Sequence, residues 1–144
     1  MALLNFSTSI SAEKTVGEIQ SKLAKAGARQ ILHEYDEAGN VSALSFRIMT
    51  KFGEMAFRLP ANIPAVEAVL RKQFRRGRYV QTDHATRVGW RILKDWVEAQ
   101  LALIETGMVT VEQVFLPYAQ NQSGQTIYEA LVEKRFSGLA LPAT

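Results

Sequence analysis

Five basic residues fall within eight positions, at Arg71, Lys72, Arg75, Arg76 and Arg78, with Phe74 and Tyr79 set among them. Guanidinium groups at this density suit the charge-assisted hydrogen bonding of phosphate oxygens. A neighbouring aromatic ring can stack on a nucleobase, which makes Phe74 and Tyr79 candidates for base contact, and the plainer role of both is to pin the connector to the core. Gly77 places the cluster in a loop able to follow a sugar–phosphate backbone. Arg75, Arg76 and Arg78 have no acid close by in sequence, whereas Arg91 and Lys94 have Asp95 and Glu98 four residues on, the spacing of a helical ion pair. Arg71 and Lys72 also suit the end of a helix, where the macrodipole favours cations. Arg47 and Arg58 fall on neighbouring expected strands, where they extend the surface or meet Glu34. Arg87 stands near the start of an expected helix, whose free N–H groups attract anions. The candidate nucleic-acid-binding set is thus Arg71, Lys72, Arg75, Arg76, Arg78, Tyr79, Arg47, Arg58 and Arg87.

The charge balance of the whole chain points the same way. Residues 71–94 hold eight bases and one acid, a charge of +7, while the rest of the chain holds nine bases and thirteen acids, a charge of −4. A molecule polarised in this way steers polyanions. Cysteine is absent, which excludes disulfides and thiolate metal sites and makes a cytoplasmic setting the expectation. The opening "MALLNFSTSI" has no basic residue before Lys14, unlike a secretory signal. No apolar run reaches the about 18 residues that a membrane span needs.

Enzyme chemistry finds no constellation. "GEIQSKLAKAG" lacks the spacing of a phosphate-binding glycine loop. His33 and His84 stand far apart, and a metal site would have to come from the "HEYDE" stretch, His33, Glu34 and Asp36, whose plainer role is a strand running into a turn. No serine sits in a nucleophile elbow. The expectation is a protein without catalytic residues, cofactor or metal.

The elements that position the basic cluster follow from periodicity. A first helix runs from Ser11 or Thr15 to Ala26, with "TVGE" as a capping box and Val16, Ile19 and Leu23 on one face. "ARQILHEYD", "VSALSFRIMT" and "MAFRLP" alternate as strands, placing Leu44, Phe46, Ile48, Met55, Phe57 and Leu59 inward. Their connections are too short for crossovers, so they form an antiparallel meander. A second helix starts at Asn62, and a third spans residues 82–105. The third carries two apolar stripes, one through Ala85, Val88, Ile92, Trp96, Ala99 and Leu103, the other through Trp90, Leu93, Val97, Leu101 and Ile104. So wide an apolar surface must be covered on two sides, one by the sheet and the other by the C-terminal segments or another protein chain. Thr110 with Gln113 and Thr126 with Glu129 cap two further helices. The expected class is α+β, in the order α-β-β-β-α-α-α-α, as a single domain over residues 1–144. An α-β-β-β-α portion spans 11–76, and a helical portion over 82–138 packs on it.

Two resemblances concern topology. The order over residues 11–76 resembles the double-stranded RNA-binding domain, but that family's basic cluster opens its second helix, and here the opening "NIPAVEAV" carries no base. The same order resembles the start of a metal-dependent nuclease core, which needs an acid-x-Lys on a strand; "FRIMTK" and "EMAFR" supply none. Over more of the chain, "GARQILHEYDEAGNVSALSFRI" and "VGWRILKDWVEAQLALIETGMVTVEQVFLPYA" resemble small uncharacterised proteins of phages and mobile elements. That resemblance implies a setting of genome handling or host interaction. The leading expectation is a small basic nucleic-acid-binding accessory protein that contacts phosphates through residues 71–78, with nucleic acid of either type as partner. The alternative is a protein-interaction or assembly module, such as a homo-oligomer, using the apolar faces of the helix over residues 82–105.

Overall fold

The computed structural model describes residues 1–143. Helix α1 (Ala12–Lys25) begins one turn before the "TVGE" box, because Ser11 caps it by accepting the Lys14 N–H. The two residues of the box serve another purpose. Thr15 is buried and accepts a hydrogen bond from Arg91, and Glu18 forms an ion pair with the same guanidinium. Arg91 was expected to pair with Asp95; α1 lies closer to its side chain, and Asp95 accepts instead from Asn5.

Strands β1 (Gln30–Tyr35), β2 (Val41–Thr50) and β3 (Gly53–Pro60) form the antiparallel sheet, in that order. Opposed pairs Leu44–Leu59, Phe46–Phe57 and Ile48–Met55 share its inner face. Because strand side chains alternate, Glu34, Ser45, Arg47 and Arg58 are left on the outer face. The same alternation sends His33 to α1, where it meets Gln20, and Glu34 to Arg58, so "HEYDE" does not converge on a point. Val16, Ile19 and Leu23 of α1 close over the inner face.

Helix α2 (Ile63–Phe74) is capped by the Asn62 side chain and leads through a 3-10 turn (Arg78–Val80) into α3 (Thr82–Glu105). Two short helices follow, α4 (Val111–Phe115) and α5 (Ile127–Glu133), and both expected capping boxes form. A second 3-10 turn (Leu116–Tyr118) leads to Ala119, which bridges to Phe57 on the β3 edge. The class is α+β, a helix and a three-stranded antiparallel sheet followed by helices.

The chain itself covers both sides of α3. Trp90 and Val97 are buried with the sheet and α1, and the Trp90 indole donates to the Val41 carbonyl at 3.0 Å. Phe115 of α4 stands edge-on to Trp96, so a C-terminal segment does supply part of the cover. Ala85 and Val88, however, are buried against Leu70, Ile63 and Val66 of α2 and against Leu3 and Phe6. The segment before α1, which has no periodicity of its own, is therefore a structural strap. Among the described residues no helix is long and apolar enough to cross a membrane.

Candidate nucleic-acid interface

The basic loop exists because α2 stops abruptly. Arg75 has φ 64° and ψ −37°, and the Arg76 N–H donates to the Phe74 carbonyl at 2.7 Å, a γ-turn centred on an arginine. Gly77 follows at φ 96° and ψ −165°, a conformation that only glycine adopts readily. An arginine at positive φ is strained, and such strain persists only where the surroundings hold it. Arg75→Gly should therefore leave the urea unfolding midpoint unchanged or raise stability by up to about 1 kcal/mol, while the β-branched Arg75→Val should lower it. A clear loss of stability on glycine substitution would contradict the strained turn.

Two anchors hold the loop. The first is aromatic: Phe74 stacks on Phe6 at 5.2 Å, Tyr79 tilts against Phe74 at 4.9 Å, and His84 lies 5.1 Å from Tyr79. The second is polar, for the Glu67 carboxylate of α2 accepts from the Thr82 hydroxyl at 2.6 Å and from Arg71 at 3.1 Å. The Thr82 hydroxyl, and after it the Arg71 guanidinium, hold the Glu67 carboxyl below its ordinary value, so this tie stays charged at neutral pH.

The structure divides the expected site residues. Arg71 is neutralised by Glu67. Arg87 pairs with Asp83 at 3.4 Å and donates to His84. Arg58 makes two hydrogen bonds to Glu34, at 2.8 and 3.1 Å, and its pKa is raised chiefly by that contact. Arg47 faces Glu54 at 3.8 Å. Arg47 and Arg58 line a trough of about 910 Å³ on the outer sheet face together with Glu34 and Glu129, where acids balance the bases. Lys72, Arg75, Arg76 and Arg78 differ from these four. All are exposed, and among the described residues none has a carboxylate within 4.0 Å.

Of the two roles expected of Phe74 and Tyr79, the structure displays the packing one, with both rings half-buried in the aromatic cluster. Both rings are committed to the cluster with Phe6, and the Arg78 guanidinium lies 4.8 Å over the Tyr79 ring while donating to its hydroxyl. What the loop offers is charge without a free aromatic face. Two participants, Phe6 and His84, were not legible: they lie 78 positions apart, and nothing local to either marks the contact. Comparison with known protein families, with curated proteins and with solved structures finds no match to this chain.

Proposed function

We propose that the protein binds nucleic acid by its sugar–phosphate backbone, through Lys72, Arg75, Arg76 and Arg78. The observation that supports this most is their concentration: four exposed cations within seven positions, without an acid in reach among the described residues, on a loop held at both ends. The net charge of +7 over residues 71–94 adds a field that draws polyanions. The setting implied by the resemblance to phage and mobile-element proteins accords with handling of genomes. On the face of α3 that an assembly module would offer, Trp90 and Val97 are buried by the chain's own elements, while Leu93, Leu101 and Ile104 stay half-buried.

Fluorescence anisotropy with labelled duplex and single-stranded oligonucleotides of unrelated sequence tests the proposal. A site that reads phosphates alone should bind all of them whatever their base composition. Its preference for the duplex should grow by about sixfold between 1 M and 0.1 M salt over four contacts, because the counterion slope per contact is roughly −0.9 for a duplex and −0.7 for a single strand. Failure to bind any of the oligonucleotides at low salt would end the proposal. Tight binding of one sequence alone would show that base contacts dominate.

A further inference from the structure

His84 is 2% exposed, at the junction of α3, the 3-10 turn and the strap formed by residues 1–10. Both its ring nitrogens are engaged. Nε2 lies 2.5 Å from the Phe6 carbonyl oxygen, which can only accept, so Nε2 carries the hydrogen. Nδ1 lies 3.3 Å from Nη2 of Arg87, which can only donate, so Nδ1 carries none. Both contacts together require the neutral ring. The charged groups facing it are few. Arg87 and Asp83 belong to α3, with Asp83 already engaged by Arg87, and Arg78 lies over the neighbouring Tyr79 ring. The strap faces it with the Phe6 carbonyl, and the 3-10 turn with the Tyr79 ring.

Besides the packing of Leu3 and Phe6, the strap has three further side-chain ties, one of them from the Gln73 amide to the Met1 carbonyl at 3.3 Å. Leu3 N–H donates to the Gln73 side chain, and the Asn5 side chain donates to Asp95, each at 2.9 Å. Asn5 itself sits at φ 62°, a left-handed conformation uncommon outside glycine and held here by the docked turn.

We propose that His84 is a proton-sensitive latch, which holds the strap on the α2–α3 groove when neutral and releases it on protonation. A proton added at Nδ1 removes the acceptor used by Arg87 and sets two cations face to face at a half-buried contact, where like charges repel more than in open water. The ring must leave, and the Phe6 carbonyl loses its donor. Release uncovers Leu70 and Val88 and takes Phe6 from the cluster that props the basic loop. The latch stands whether or not the loop binds nucleic acid; only its regulation of that loop rests on the function proposed above.

The test is amide hydrogen exchange of the full chain without nucleic acid, at pH 7.5 and pH 5.5, corrected for intrinsic rates. Protection at Leu3, Phe6 and Thr8 should fall severalfold, with about tenfold as the ceiling that one proton sets, at the lower pH while Ile19 and Leu23 in α1 stay unchanged. In His84→Gln, whose amide still offers a donor towards the Phe6 carbonyl but does not titrate, strap protection should be equal at the two pH values. Equal protection in the wild type, or a severalfold fall surviving in a docked His84→Gln, overturns the latch. If His84→Gln undocks the strap even at pH 7.5, Arg87→Met decides. With the facing cation removed, the fall should shrink, and a fall as steep as in the wild type overturns the latch.

Discussion

Replacing Arg75, Arg76 and Arg78 together by alanine should lower affinity for a duplex oligonucleotide by on the order of a hundredfold or more at 0.1 M salt. Each lost phosphate contact removes roughly 0.9 from the slope of log affinity against log salt, so three contacts amount to about 2.7 logarithmic units between 0.1 and 1 M. The fold should survive the change. The three side chains are exposed, and among the described residues their only partner is the Tyr79 ring and hydroxyl beside Arg78. Circular dichroism and the urea midpoint should therefore match those of the wild type, which separates lost binding from lost structure. As a control, Arg47→Ala and Arg58→Ala, on the outer sheet face, should change affinity by less than about threefold. A loss of the same size from those two would relocate the interface to the trough.

Phe115→Ala should destabilise the protein by about 3–5 kcal/mol, a large share of the stability of a small domain. Phe115 is 1% exposed and lies within 6 Å of three rings, those of Phe46, Phe57 and Trp96. It is the residue through which the short α4 closes the end of the core, and five helical residues have little stability of their own. Its loss removes dispersion contacts and leaves a cavity that rigid β2 and α3 cannot collapse to fill. Urea unfolding followed by far-ultraviolet dichroism measures the change, and Trp96 emission should shift to the red before the main transition. A cost below about 1 kcal/mol would mean that α4 lies on the core without belonging to it.

The sheet was legible because one of its faces is buried. The period of two in "VSALSFRIMT" leaves no other register that hides Leu44, Phe46 and Ile48 together. The caps at Thr110 and Thr126 were legible because such boxes are local, closing over three residues. The box at Thr15 shows where local chemistry yields. Ser11 offers an equally good cap one turn earlier, and Thr15 and Glu18 are then free to receive Arg91 from another helix. A rule of i to i+4 pairing cannot anticipate that, since it knows only its own helix. The strap escaped for a related reason: "LLNF" is too short to show a period, and its partners lie on α2 and α3. Of the candidate site, the density of charge was plain, and so was the meeting of Arg58 with Glu34; the pairing of Arg47 with Glu54 and of Arg71 with Glu67 was not. Which arginines keep their charge free depends on acids that the fold brings near, Glu34, Glu54 and Glu67 among them. The γ-turn at Arg75 left no trace at all, because Gly77 alone suffices to end a helix on paper.

The salt dependence of duplex binding tests the central claim most directly. For four phosphate contacts the slope of log affinity against log salt should be about −3.6 in the wild type and about −0.9 in the variant lacking Arg75, Arg76 and Arg78. A wild-type slope near zero, or a slope that the triple substitution leaves unchanged, would contradict an interface built on those guanidinium groups.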